Sequence, residues 1–181
     1  MRQYESWSRG TASRYDGCGR VSKVARVNAD EIAVAHSPVG GYGDVMPPPI
    51  LAGCTESLTA GAPDMRGMWR VTSVEWTNGV APDPDPIASH VERIEQCGDR
   101  VCITASGIIH DMRADGTVEH GVNDIAAANG QAISVVCTFE DGVHTLRPVG
   151  MPGVAVTRRL DGDALVWTYG PMFTARMERI A

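Results

Sequence analysis

Lysine is nearly absent from the 181-residue sequence, in which Lys23 stands against fifteen arginines and the net charge is −6. Nucleic-acid binding requires a basic surface that neutralises phosphates, so this acidic chain is not expected to bind nucleic acid. No run of residues is long and apolar enough to span a membrane, and the first ten residues lack the apolar segment of a secretory signal. We therefore expect a cytoplasmic protein without a membrane span.

Motifs for common cofactors and nucleophiles are also missing. The five cysteines are odd in number and form no Cys-x-x-Cys motif, which predicts reduced thiols that serve mainly in packing. No helical pattern follows the glycines of Val39–Val45, and no Gly-x-Ser-x-Gly sequence occurs. The sequence thus disfavours dinucleotide-dependent redox chemistry and serine hydrolysis, and we expect neither a cofactor nor a metal.

From Gly67 onwards, short β-prone segments alternate with tight turns such as Ala114-Asp115-Gly116, Asn129-Gly130 and Glu140-Asp141-Gly142. No helical segment separates them, so neighbouring strands should pair antiparallel. Eight to ten such strands close naturally into an all-β, up-and-down barrel that can hold one small ligand, and a β-sandwich is the alternative fold. The predicted strands are 68–77, 89–97, 100–106, 107–113, 117–124, 131–139, 143–149, 154–160, 163–169 and 172–180.

Residues 1–66 differ in composition and apolar periodicity from the barrel segment, residues 67–181. The segments Arg20–Asn28 and Glu31–His36 are compatible with strands, but the prolines of Pro47–Pro49 exclude helix and sheet interior. This half has too few periodic apolar residues for its own core. We therefore predict an irregular N-terminal arm or lid that covers the barrel, with the addition of strands to the barrel as the alternative.

Two segments resemble the calycins, the group of barrels that includes lipocalins and fatty-acid-binding proteins. Gly67-Met68-Trp69 is similar to their Gly-x-Trp signature, and VTRRLDGDALVWTYGPMFTARMERI resembles the last three strands of fatty-acid-binding proteins. The resemblance implies a barrel with an interior ligand, and places Arg158 and Arg176 near the family's carboxylate-binding arginines. Glu178 stands where the family has tyrosine. The architecture is also similar to small barrel cyclases that form spirotetronate and spirotetramate rings.

The sharpest candidate site surrounds the Asp115-Gly116 turn. A turn of two or three residues would place His110 opposite His120, or one residue away, with Cβ atoms about 4.5–5.5 Å apart. Two imidazoles at this distance can form an acid–base pair or share a metal, although the sequence supplies no third metal ligand. Two solvated histidines are the alternative.

Inward-facing polar and aromatic side chains are the other candidates. A glutamate that points into the barrel, for which we take Glu92, would have a raised pKa suited to general acid or base catalysis, and exposure to water is the alternative. Aromatic side chains either line a pocket or fill the core. The expected ligand contacts are Trp76, Trp167, Tyr169, Phe173, Met177, Arg176 and Glu178, of which the last two share a face and can pair with each other instead.

These observations lead to three hypotheses about function. The first is a cofactor-free cyclase or isomerase that folds a largely apolar substrate into a reactive shape, while a buried carboxylate or histidine polarises a carbonyl. The second is a non-catalytic carrier or sensor of a hydrophobic metabolite. The third is a structural barrel that binds a partner protein. Two or more polar side chains that converge inside the barrel would favour the enzyme, and an entirely apolar lining would favour the carrier.

Overall fold

The computed structural model describes residues 27–126 and 132–181. The Asn129-Gly130 turn and nearly all of the predicted strand Arg20–Asn28 lie outside these residues. Ten strands are described: β1 Gly67–Trp76, β2 Val91–Cys97, β3 Arg100–Ala105, β4 Ile108–Arg113, β5 Val122–Ala126, β6 Ala132–Glu140, β7 Val143–Pro148, β8 Ala155–Asp161, β9 Ala164–Gly170 and β10 Phe173–Arg179.

All ten strands belong to one antiparallel sheet in the order β4-β3-β2-β1-β10-β9-β8-β7-β6-β5. The pairing of β1 with β10 joins the two ends of the meander, and the sheet curls until β4 and β5 face each other. No ladder of hydrogen bonds joins β4 to β5 in the described residues, so this line is the seam of a nearly closed barrel. The predicted up-and-down barrel is confirmed, and the sandwich alternative is wrong.

Most strand boundaries agree with the prediction, including the break between β3 and β4. Gly107 has a φ of +84° in the turn there, a conformation that a residue without a side chain adopts easily. The exception is the predicted strand 117–124, which begins only at Val122 because a wide turn precedes it. In the turn the amide of Arg113 donates to the carbonyl of His120 at 2.8 Å, and Asp115 bridges to Thr138 on β6.

Alternation along the strands produces two apolar clusters on opposite faces of the sheet. The larger fills the barrel interior, where Trp69, Leu165 and Met177 are almost completely buried. The smaller lies on the outer face of β2, β3 and β4, where Cys102 and Ile109 pack against Leu51 of the N-terminal segment. The outer face of these three strands is therefore a second buried surface.

The described part of the arm, residues 27–66, lies along this outer face. It forms a 3-10 helix over Ala29–Glu31, and the possibility that Glu31–His36 is a strand is not realised because the backbone beyond the helix is irregular. Arg100 of β3 holds it, with Nη1 donating to the carbonyls of Ala29 and Ile32 at 2.7 and 2.6 Å. Polar side chains of the barrel thus take the place of a hydrogen-bonded strand.

A disulfide bond also ties the arm to the barrel. Cys54 of the arm is bonded to Cys97 of β2, with 6.0 Å between their Cα atoms. The prediction of five reduced thiols is therefore wrong, since residues 43 positions apart in sequence meet in space, which spacing alone does not reveal. Cys102 and Cys137 are buried free thiols. In the described part of the chain, no helix is long and apolar enough to cross a membrane.

Candidate functional site

A buried ion pair crosses the interior of the barrel. Arg158 of β8 donates to Glu92 of β2 through Nε at 2.9 Å and through Nη2 at 2.8 Å, and both side chains are more than nine-tenths buried. The two strands are separated in the sheet by β1, β10 and β9. The ion pair must therefore span the lumen instead of joining neighbouring strands. Glu92 points inward, as the sequence predicts for one of its glutamates.

Arg158 belongs to a row of polar side chains on three consecutive strands. His144 of β7 is its register partner on one side, and Trp167 of β9 is its partner on the other. All three residues are buried. Arg158 Nη1, His144 Nδ1 and Trp167 Nε1 have no hydrogen-bond partner among the residues that the structure describes. Three buried polar atoms without a protein partner on adjacent strands are unusual, because nearly all buried polar groups are paired.

The charges of this cluster follow from burial together with the ion pair. Burial raises the pKa of Glu92, but the charge of Arg158 and the hydrogen bonds from His90 and Arg158 outweigh it and lower that pKa to about 2. The prediction of a raised pKa is therefore wrong. The sequence alone does not reveal that the guanidinium of Arg158 reaches Glu92 from the opposite wall of the barrel. Burial, and then Arg158, lower the pKa of His144 to about 3. At neutral pH, Glu92 is a carboxylate and His144 is a neutral imidazole.

Cys137 of β6 contacts His144 and can select its tautomer. Its sulfur lies 3.1 Å from Nε2 of His144, and burial raises the pKa of the thiol to about 12. A thiol that keeps its proton can donate it to Nε2, which requires the imidazole proton to be on Nδ1. The unpartnered Nδ1 is then a donor. Arg158 Nη1 and His144 Nδ1 stand side by side on β8 and β7, and in this tautomer both are donors.

His90, directly before β2, connects the cluster to the barrel rim. Its Nε2 lies 3.5 Å from Glu92 Oε2, its Nδ1 lies 3.4 Å from Ser106 Oγ, and its ring centroid is 4.8 Å from that of Trp167. The side chain is one-tenth exposed. His90 therefore fixes the second oxygen of Glu92 and packs on the same indole that Arg158 approaches, at 5.2 Å from its ring centroid.

The predicted aromatic lining occupies the interior as one contiguous group. Phe173 lies at its centre, with ring centroids 5.2 Å from Trp76, 4.9 Å from Trp167 and 5.8 Å from Tyr169. Met177, on the same face of β10, is 1% exposed. The inward direction of these five side chains agrees with the sequence prediction. Their role in ligand contact stays a prediction.

Arg176 and Glu178 do not join this interior. They lie on the outer face of β10, half exposed, where Arg176 binds Asp161 at 2.7 Å and Glu178 pairs with Arg70. The predicted mutual pair and the predicted ligand contact are both wrong for the same reason. Inward and outward positions alternate along the strand, so the inward Ala175 and Met177 place the residues next to them outside.

The predicted histidine pair does not form either. His110 of β4 is the register partner of Ile103 on β3, and the residue opposite His120 at the seam is Arg113. His120 is more than half exposed and binds Asp115 at 2.6 Å. The wide turn at 114–121 is longer than the assumed two or three residues, which displaces the register. In the described residues, no group of three or more His, Cys, Asp or Glu side chains is arranged to hold a metal.

A cleft of about 470 Å³ opens at the seam between the arm and strands β4 and β5. Its walls include Ala35 of the arm and His120 of the wide turn, and its lining includes Met112 and Val122, two core residues of the interior. This volume is within the usual range of small-molecule sites, about 300–1,000 Å³. The cleft therefore lies at the seam of the barrel and borders two residues of its interior core.

Sequence reasoning missed His90 and His144 and found Arg158 only through the calycin resemblance. A usable signal exists for His144, because it alternates with Leu146 on β7 and stands opposite the apolar Phe139 on β6. No comparable signal exists for the pairing of Glu92 with Arg158, which are 66 residues apart and come from opposite walls.

A nearly closed, ten-stranded antiparallel meander whose first and last strands pair has a calycin-like architecture, as the resemblance of Gly67-Met68-Trp69 to the Gly-x-Trp signature predicted. No protein-family model and no curated protein sequence matches the chain.

Solved structures with a similar fold include human cRBP IV, at 18% identity and a TM-score of 0.49, over 64% of this chain and 98% of that one. Zebrafish ileal bile acid-binding protein complexed with cholic acid has 17% identity and a TM-score of 0.47, over 64% and 98%. A mutant of the REP1-NXSQ fatty acid transporter has 16% identity and a TM-score of 0.46, over 65% and 98%.

Proposed function

We propose that the barrel binds one largely apolar small molecule in its interior, with the polar end of that molecule at the row formed by His144, Arg158 and Trp167. The observation that carries the proposal is the set of three buried polar atoms in this row without a partner among the described residues. A buried donor that lacks an acceptor costs about 1–3 kcal/mol, so three of them are a reason to expect an acceptor from outside the chain.

The aromatic group around Phe173 supplies the apolar part of this site. Trp167 is at once part of the row and a neighbour of Phe173, so a molecule whose polar end meets Arg158 would contact aromatic rings with its apolar body. The seam supplies the route inward. Met112 and Val122 line the cleft and belong to the interior core, and separating β4 from β5 breaks no ladder among the described residues.

The finer proposal is a cofactor-free cyclase or isomerase. Arg158 and His144 bring polar groups together inside the barrel, which is the arrangement that favours chemistry over carriage. Arg158 Nη1 would donate to a substrate carbonyl and stabilise the negative charge that develops on its oxygen. Glu92 remains ionised and holds the guanidinium in place, so it orients the donor and does not supply a proton. A cyclisation by isomerisation needs no co-reactant. A carrier or sensor that uses the same donors only for binding is the alternative.

Native mass spectrometry of the full chain purified from its own host, followed by organic extraction, tests binding. We expect one bound molecule of defined mass. The recovered molecule should bind at least tenfold more weakly to Trp167→Phe, which removes Nε1 and keeps an aromatic ring, and with unchanged affinity to Arg176→Met, whose side chain is outside the barrel. An empty protein with no thermal shift against a panel of hydrophobic metabolites would contradict the proposal.

Turnover separates the enzyme from the carrier. The extracted molecule and its open-chain or ring-closed isomer are incubated with the protein and followed by NMR. Interconversion that His144→Phe slows supports the enzyme. If both compounds are recovered unchanged although they bind, the carrier hypothesis is supported and the catalytic proposal is wrong.

A further inference from the structure

We infer that the polar end of the ligand is an uncharged hydrogen-bond acceptor, such as a ketone, aldehyde or ester carbonyl, and not a carboxylate. This inference rests on the interior site proposed above. Its basis is the ion pair, because Glu92 already neutralises the one guanidinium in the row through two hydrogen bonds at 2.9 and 2.8 Å.

The remaining groups of the row add no positive charge. His144 is buried beside Arg158, which disfavours a second cation there, and Cys137 next to it is a buried thiol. Trp167 contributes an N–H dipole and no charge. The row thus presents donors around a centre whose formal charge is zero. A neutral acceptor can take the hydrogen bond from Arg158 Nη1 without disturbing that balance.

A carboxylate at the same place would disturb it. Two carboxylates would then share one guanidinium in a site where Glu92 is fully buried, and the second negative charge would have no compensating cation among the described groups of the row. Like charges at such distances repel strongly where water is excluded. We expect the interior to bind a neutral ligand at least about tenfold more tightly than a carboxylate of equal length, since each tenfold step needs only a small difference in free energy.

The test uses matched sets of straight-chain ligands in several lengths, each set comprising a methyl ketone, a primary alcohol, a carboxylic acid and the hydrocarbon. Binding to the full chain is measured at neutral pH by displacement of a polarity-sensitive dye. We expect the ketone to bind most tightly and the carboxylate at least about tenfold more weakly. A carboxylate that binds as tightly as the ketone overturns this inference and leaves interior binding intact. If no member of any set binds, the proposed site itself is wrong.

The Glu92→Gln variant provides a second test, because it should change the preference of the site between the ketone and the carboxylate. The substitution keeps the size of the side chain and removes the charge that neutralises Arg158, so the carboxylate should gain at least tenfold in affinity relative to the ketone. Glu178→Gln, on the outer face of the barrel, is the matched control and should leave the order unchanged. An unaltered preference in folded Glu92→Gln contradicts the inference.

Infrared spectroscopy covers the case in which Glu92→Gln does not fold. The carbonyl stretch of a ¹³C-labelled ketone bound to the unmodified protein should shift to lower frequency, because donation from Arg158 Nη1 and His144 Nδ1 weakens the C=O bond. A bound ketone with the stretch it has in hydrocarbon solvent would show that no donor meets it, which overturns the inference while binding stands.

Discussion

Replacing Arg158 with methionine should destabilise the barrel far more than removing a surface ion pair. Methionine keeps much of the length of the side chain and loses the guanidinium, so Glu92 becomes a buried carboxylate without its cation. Among the described residues, the hydrogen-bond partner that would remain beside it is His90, at 3.5 Å. The reciprocal change, Glu92→Met, leaves the guanidinium buried instead. The double variant removes both charges and fills the lumen with two flexible apolar side chains.

Two lines of reasoning give the size of the expected loss of stability. Removing one member of a buried ion pair typically costs about 3–5 kcal/mol. Independently, the pKa of Glu92 is about 2 in the folded protein against an ordinary value of 4.5, and that difference corresponds to about 3 kcal/mol. Because the folded pKa is the lower one, this contribution is complete above pH 4.5 and is lost as the pH falls through 2. Against a total stability of about 5–15 kcal/mol, each single variant is severely weakened.

Urea unfolding of the four proteins at neutral pH measures the coupling. We expect each single variant to lose about 3 kcal/mol or more, and the double variant to recover most of that loss, since neither charge is left alone. Arg176→Met, which breaks an exposed pair, is the control and should change little. If the losses of the two single variants simply add in the double variant, Glu92 and Arg158 are not coupled, and the account of the interior is refuted.

Three further predictions concern His144, the arm and the seam. The pKa of His144 is about 3 in the folded protein against an ordinary value of 6.5, so stability should decline as the pH falls from 6.5 to 3. The melting temperature of His144→Phe should depend less on pH in this range. Arg100→Lys keeps the charge but cannot make the bonds to Asp111 and to three arm carbonyls together, so limited proteolysis should cut the arm faster, with about 2 kcal/mol lost. Gly121→Ala would place its Cβ 2.0 Å from the carbonyl oxygen of Val135, which should cost about 1–3 kcal/mol in urea unfolding.

The fold could be predicted well because its determinants are local. Turn residues such as Asp141-Gly142 and alternation such as Ile133, Val135 and Cys137 act within a few residues, and both survive in the structure. The arm was harder. Its position depends on Arg100 and on the Cys54–Cys97 bond, which join distant parts of the chain. Nothing in the sequence distinguishes Arg100 from an ordinary surface arginine, or Cys54 and Cys97 from ordinary packing cysteines.

The site could be predicted only in part, because its chemistry depends on distances across the lumen. Alternation correctly turns Trp167 and Phe173 inward, but it says nothing about which residues face each other from opposite walls. Glu92 was chosen correctly as an inward carboxylate and wrongly as an acid, since the cation that lowers its pKa belongs to β8. The pairing of His110 with His120 failed because the length of one turn was assumed and the register follows from it.

The two buried arginines of the barrel provide an internal comparison of structural and functional use. Arg100, on the outer face, donates through Nε and Nη2 to Asp111, and its remaining capacity goes to the carbonyls of Ala29, Ile32 and Ala33, so every nitrogen has a partner. Arg158, on the inner face, makes the same bidentate pair with Glu92, but its Nη1 has no partner among the described residues. The chain satisfies an arginine completely where the arginine holds the fold together. It leaves one nitrogen available where the arginine faces the lumen, and this difference within one protein is the physical reason to look for a ligand there.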